Sequence, residues 1–250
     1  MQSKGEKTIT FNDYPKMSVA TDIFIFATED IKTDDTRKVP EKGIQVLLLK
    51  RNIEPFMGRW ALPGGFVDID KDIYEAAKNK LFLKTGIDNL YMEQLYTYGK
   101  PDRDERGRVV SVAHMALVKK EDLDMHDAMW FWVIPERDKS GKVTNICVQS
   151  EDRRYATQDL AFDHKQIIID AFNRVQNKIE YTDVAFNFVP KYFTVKELEM
   201  VYQAILGRKV QGFRRKMGDK LITTNTMKDD GSAHRPAEYY QYNENHTQKF

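Results

Sequence analysis

The sequence runs to 250 residues, 41% of them hydrophobic and 31% charged, with a net charge of +1. That length suits one large domain or two ordinary ones with a real core, and so even a charge balance names no partner for the chain as a whole. The single cysteine, Cys147, excludes an intrachain disulfide. The polar start M-Q-S-K-G-E-K-T and the lack of any apolar run near the ~20 residues of a membrane span predict a cytoplasmic protein with no membrane association.

Residues 1–17 are polar. Asp22 to Thr28 and Ile44 to Leu49 are rich in β-branched, aromatic and aliphatic residues and read as strands joined by a long polar loop. Arg59 to Leu62 reads as a short strand feeding the turn Pro63-Gly64-Gly65. Asp72 to Thr85 reads as a helix with Gly86 as its C-cap. Leu90 to Tyr98 and Val109 to Val118 read as strands flanking the charged loop P-D-R-D-E-R-G-R, Ala128 to Ile134 as an aromatic strand, and residues 135–142 as a hairpin-like turn. From Asp163 the period changes: Ile168, Ala171, Phe172, Val175 and Ile179 fall at helical spacing, and Asp163 can cap the start. Mixed strands with few helices predict an α+β fold. The expected division is a first domain over residues 1–160, a linker helix over 161–180 and a second domain over 181–250.

The last 70 residues differ in charge. Residues 181–250 carry 11 basic and 8 acidic side chains, a net of +3, against 28 and 30, a net of −2, in residues 1–180. Thr194-Val195-Lys196-Glu197 is a capping box, followed by an apolar stripe at Leu198, Val201, Tyr202, Ile205 and Leu206. Gly207 breaks that helix. A second short helix is expected to hold Val210, Phe213 and Met217 on one face and Arg214, Arg215 and Lys216 on the other, ending at Gly218. Leu221 to Thr226 and Ala237 to Tyr242 read as strands around the turn K-D-D-G-S. Helix, glycine turn, basic helix and hairpin is the order of a winged helix-turn-helix. Such a unit can lay its second helix in a DNA major groove while basic side chains neutralise phosphates. Arg208, Lys209, Arg214, Arg215, Lys216 and Arg235 are the candidate DNA-binding residues; the competing reading of the basic run is a solvated helix face.

The stretch from Trp60, W-A-L-P-G-G-F-V-D, resembles the approach to the Nudix box of hydrolases that act on nucleoside diphosphates linked to other groups. Gly65, Leu81, Gly86 and Ile87 match the box, but its acidic positions fall on Lys71, Lys80, Leu83 and Lys84, and its arginine on Asn79. Magnesium needs hard oxygen ligands, which leucine lacks and lysine replaces with a repelling charge. No catalytic and no metal-binding residue is therefore assigned. Asp68, Asp70, Asp72 and Glu75 are off register and read as favourable charges at a helix start. Lys80 and Lys84 share a helix face; either they hold a diphosphate where metals would sit, or they are solvated.

Nearly the whole chain resembles the NrtR-like, Nudix-related transcriptional regulators, best known as repressors of NAD biosynthesis genes. The matching stretches are R-N-I-E-P-F-M-G-R-W-A-L-P-G-G-F-V-D from Arg51, G-K-P-D-R-D-E-R-G-R-V-V-S-V-A from Gly99, L-A-F-D-H from Leu160, K-I-E-Y-T from Lys178 and F-V-P-K-Y-F-T-V-K-E-L-E-M-V-Y-Q-A-I-L-G-R-K from Phe188, with F-R-R-K-M and R-P-A-E-Y-Y in the tail. The resemblance implies a Nudix-like α/β/α sandwich with a mixed sheet, then a winged helix-turn-helix. It also implies a homodimer on a palindromic double-stranded operator, ADP-ribose as effector and no cofactor. Carried over by position, the ligand site involves Arg51, Gly64, Gly65, Phe66, Lys80, Lys84, Asp102 and Arg103. A pentose-sensing regulator of the same family and a hydrolase with unusual metal ligands are the alternatives.

Overall fold

The computed structural model describes residues 10–32, 40–86, 91–118, 128–152, 155–228 and 236–246. Its centre is strand β1 (Ser18–Asp30), in which Ala20 to Ala27 are all buried. Such a run arises where both faces of a strand are covered. β1 pairs antiparallel with β2 (Lys42–Lys50), and at its start with the short β4 (Gly64–Phe66); β3 (Trp60–Ala61) pairs antiparallel with the end of β2. Helix α1 (Ile73–Thr85) follows, then β5 (Tyr91–Tyr98), β6 (Val109–Leu117), β7 (Ala128–Arg137), β8 (Val143–Ser150) and β9 (Ala156–Thr157). The sheet runs β5-β6-β1-β2-β7-β8-β9, with β1 and β6 parallel and the remaining pairs antiparallel.

Alternation along the strands sends side chains to two layers. Ile23, Ile25 and Leu47 meet Ala77 and Leu81 of α1. Phe24, Phe26, Val46 and Leu48 share the opposite core with helix α2 (His164–Lys178) through Ile168, Phe172 and Val175. The first part of the chain is thus the expected α/β/α sandwich with a mixed sheet. α1 has the predicted C-cap, Gly86 at φ 69°, while Asp72, expected as its first residue, is instead its N-cap: Asp72 Oδ1 accepts from the Tyr74 and Glu75 N–H groups. β7 extends three residues past its expected end. Asp138 Oδ1 accepts from the Ser140 and Lys142 N–H groups and closes the turn only there.

The second part holds a 3-10 helix (Val184–Phe188), β10 (Phe193–Thr194), α3 (Val195–Leu206), α4 (Phe213–Met217), β11 (Leu221–Lys228) and β12 (Ala237–Tyr242). The strands order β10-β12-β11, and the whole is a winged helix-turn-helix. The capping box forms: Thr194 Oγ1 accepts from Glu197 N at 3.2 Å and Glu197 Oε2 from Thr194 N at 2.7 Å. α4 begins only at Phe213, after Gly212 at φ 62°; Val210 is buried ahead of it rather than on it. The two parts share one core. Leu198, Val201, Tyr202, Ile205, Phe213 and Met217 belong to the same buried cluster as Phe24 and Phe26, and the Phe26 and Phe188 rings meet at a tilt of 54° with centroids 5.3 Å apart.

Candidate functional site

A cavity of about 390 Å³ opens between the start of β1, the β2–β3 loop, β4, the loop before β6 and the N-terminus of α2. Arg51, Arg106, Phe66 and Phe162 form its mouth, and Asp22, Arg103 and His164 lie in its wall. Phe162 has φ 52°, a left-handed conformation that a bulky side chain rarely adopts and that tends to collect at functional sites. That backbone holds the ring where two guanidinium groups meet it: Arg51 Cζ at 4.8 Å and Arg106 Cζ at 5.6 Å from its centroid. Arg106 also lies over Phe66, at 5.1 Å.

The two cations are balanced differently. Arg106 pairs with Asp104 through two bonds of 2.7 and 2.9 Å. Arg51 donates to the carbonyl oxygens of Pro55 at 2.7 Å and Ile53 at 3.4 Å. Burial, then the Arg106 charge, pushes the Arg51 guanidinium below its ordinary range. Two like charges on one ring are relieved by an anion between them, and a phosphate group matches the planar fork of arginine.

The wall beneath is a closed polar frame. Arg103 Nε and Nη2 grip both oxygens of Asp163, at 3.0 and 2.7 Å, and Nη2 reaches Asp22 at 3.1 Å. Ser111 Oγ donates to Asp22 at 2.7 Å. His164 Nδ1 accepts from the Leu62 N–H at 2.8 Å, which leaves the ring proton on Nε2, 3.4 Å from Asp22 Oδ1. Burial pushes the Asp22 carboxyl up, but His164, Ser111 and Arg103 together outweigh it and bring the group to about 2. Asp163 occupies the N-cap position of α2 without capping it, because Arg103 holds its carboxylate.

Of the residues expected to bind ligand, Arg51, Gly64, Gly65, Phe66 and Arg103 line the cavity. Arg103 does so with its fork already occupied by two aspartates. Gly64 is required by packing, since a Cβ there would lie 2.4 Å from Thr21 O and 2.7 Å from Asp22 Oδ1. Asp102 is exposed and outside the lining. Lys80 is half-buried and lies outside the lining too, its Nζ 3.5 Å from where a Gly65 Cβ would stand. The Lys84 side chain lies outside the described residues. Sequence reasoning did not assign Asp22, Arg106, Phe162 or His164. The L-A-F-D-H stretch was the available signal, since it carries Phe162, Asp163 and His164 together.

Two of the positions that are acidic in the Nudix box carry no oxygen donor on this helix. An ammonium from Lys80 stands against Gly65, and Leu83, 79% exposed, offers no donor. At the other end of the chain, Arg214, Arg215 and Lys216 are exposed while Phe213 and Met217 are buried. Arg214 Nη2 donates to the Tyr240 hydroxyl at 2.6 Å, and Lys216 Nζ lies 5.7 Å from the Tyr202 ring. Arg208 pairs with Glu180 at 2.6 Å, and Lys209 is exposed. Arg235 lies outside the described residues. No helix among the described residues is long and apolar enough to cross a membrane.

Comparison with known proteins matches both parts of the chain. Residues 185–242 match the NrtR DNA-binding winged helix domain and residues 35–137 the NUDIX domain. An ADPR responsive transcriptional repressor, NtrR of Acinetobacter baylyi, is 32% identical over 238 residues, covering 92% of this chain and 84% of its own. The chain belongs to the NrtR family. NrtR of Shewanella oneidensis, crystallised with a 27mer DNA, superposes with a TM-score of 0.67 at 30% identity, covering 90% of this chain and 93% of its own. A MutT/nudix family protein from Enterococcus faecalis gives a TM-score of 0.68 at 26% identity over 93% and 90%. An ADP-ribose pyrophosphatase of Methanocaldococcus jannaschii is 33% identical over 134 residues, 52% of this chain and 67% of its own.

Proposed function

We propose that this chain is an ADP-ribose-responsive repressor of NAD biosynthesis genes, acting in the cytoplasm as a homodimer on a palindromic operator. The observation that carries the reading is the pair of sites in one chain of a repressor family: a pocket mouth with Arg51 and Arg106 on one ring, and a helix that exposes Arg214, Arg215 and Lys216. ADP-ribose suits the first. Its diphosphate meets the two guanidinium groups, and its flat base has Phe162 and Phe66 to lie against. A DNA duplex suits the second, because basic side chains release counterions from phosphates. A dimer places the two basic helices about one turn of DNA apart. ADP-ribose shifts operator affinity by binding one arrangement of the dimer better than another, and the expected result is release.

The same reading makes the Nudix part a sensor rather than a hydrolase. The acidic positions of its box hold Lys71, Lys80, Leu83 and Lys84. The similarity to an ADP-ribose pyrophosphatase favours a second reading, slow hydrolysis with other metal ligands. Gel-shift titration with ADP-ribose, with pentoses alongside, tests the first. Release of AMP from ADP-ribose with Mg²⁺ or Mn²⁺ at ordinary turnover would replace it with the second. A response to pentoses alone would reassign the effector.

A further inference from the structure

We propose that Arg137 is the positioning residue that couples the ligand pocket to the DNA-reading helix, with α2 as the rod between them. The inference rests on the sensor reading above and names its means of regulation. The first end of α2 is fixed to the pocket by consecutive residues. Phe162 carries both arginines, Asp163 is gripped by Arg103, and His164 is bound to Leu62 and faces Asp22. An anion drawn between Arg51 and Arg106 therefore acts on the residues that open α2.

The other end meets Arg137, the last residue of β7. From His164 to Gln176 the helix spans about 18 Å. There Arg137 Nη1 donates to Gln176 Oε1 and, at 2.9 Å, to Gly141 O; Nη2 donates to Ile205 O, at the end of α3, also at 2.9 Å. The guanidinium lies 5.3 Å from the Phe172 ring. Gln176 Nε2 also reaches Gly141 O, and Asn173 exchanges two bonds with the Val143 backbone. One side chain thus ties α2, the β7–β8 turn and the C-terminus of α3 together.

The environment is unusual for an arginine. Among the described residues no carboxylate pairs with it, and its charge is met by carbonyl oxygens, a glutamine and the negative end of the α3 dipole. Gly207, which caps α3 at φ 67°, leaves room for the guanidinium. A Cβ there would lie 2.7 Å from Arg137 Nε and 3.0 Å from Cζ. Arg208, Lys209 and the turn into α4 follow at once. A shift of α2 is delivered through Arg137 to the residue where the basic segment begins.

The test uses the full chain, ADP-ribose and a duplex selected by the wild-type protein from a random-sequence pool. Arg137→Gln removes the fork, and Gly207→Ala displaces it from the opposite side, so that each substitution checks the other if one fails to fold. Both variants are expected to bind ADP-ribose within about threefold of wild type by calorimetry. Both should keep the wild-type dependence of duplex binding on salt, because the Arg137 guanidinium is bonded to groups of its own chain. The ratio of duplex affinity without and with ADP-ribose should fall from the roughly 5–150-fold typical of coupled sites to under about threefold. A wild-type ratio in either folded variant overturns the proposal, as does a salt slope lowered by about one phosphate contact. A wild-type protein whose duplex binding ignores ADP-ribose would instead overturn the sensor reading, and this inference with it.

Discussion

Replacing Arg103 separates a structural arginine from a ligand-binding one. Arg103→Met keeps the stem and deletes the guanidinium, leaving Asp22 and Asp163 to face each other with side chains only 10% and 20% exposed. Breaking a buried pair by removing one partner typically costs about 3–5 kcal/mol, a large part of the roughly 5–15 kcal/mol that holds a domain together. The pH dependence carries a second signature. The Asp22 carboxyl lies near 2 against an ordinary 3.8, so its folded form is depressed and its contribution is present above about pH 4. That contribution, roughly 2 kcal/mol from the shift of pKa, is lost as pH falls through 2. Without Arg103 the carboxyl titrates higher, and stability is lost earlier on acidification. Urea unfolding at pH 7 and at pH 3 to 4 measures both effects. A variant that unfolds at the wild-type midpoint while losing ADP-ribose affinity would show that Arg103 serves the ligand and not the frame.

Arg106→Ala should destabilise by about 1–3 kcal/mol, less than Arg103→Met, since it leaves the Asp104 carboxylate, 3% exposed, without its side-chain partner while Arg106 itself is 41% exposed. Its ADP-ribose affinity should drop about 10- to 150-fold in calorimetry, the worth of one hydrogen bond to a charged group. Among the described residues Arg215 has no hydrogen-bonding partner, whereas Arg214 is held by Tyr240. Arg215→Ala should therefore lower the slope of log affinity against log salt by about one in a duplex-binding assay, with the fold intact. Gly64→Ala should destabilise by about 1–3 kcal/mol, read as a lower urea midpoint, because its Cβ would strike Thr21 O and Asp22 Oδ1.

The elements most legible in the sequence are those whose cause is local. β1 reads as a strand because burial on both faces demands a continuous apolar run, and α1 reads to within a residue because Asp72 and Gly86 punctuate it. β4 does not read at all. Gly64 and Gly65 disfavour a strand, and the pairing of Gly64 to Phe66 is imposed by Ala20, Thr21 and Asp22 of β1. β8 is not among the predicted strands, although the alternation of buried Val143, Ile146 and Val148 with more exposed Thr144, Cys147 and Gln149 is the available signal. The site shows the same limit. Arg103 and Arg106 belong to one charged loop, and nothing nearby tells which turns inward. The deciding partners, Asp22 and Asp163, lie 81 and 60 residues away. The Phe162 backbone conformation leaves no trace in composition, although its neighbours Asp163 and His164 were part of the family resemblance.

The shared core narrows how such a regulator can work. If the winged helix hung from a flexible tether, ligand could act only by ordering or releasing that tether. Here α3 is buried among residues of β1, β2 and α2, and Tyr202 at 1% exposure belongs to the same cluster as Phe24 and Phe26. Well-packed cores resist continuous deformation and switch between discrete arrangements. In the proposed dimer, a ligand at the Arg51–Arg106 pair would then alter DNA affinity by moving α2 and, through its contacts with α3, the winged helix with it, changing how the two protomers face each other. The operator response should accordingly depend on substitutions along α2 that touch neither ligand nor DNA.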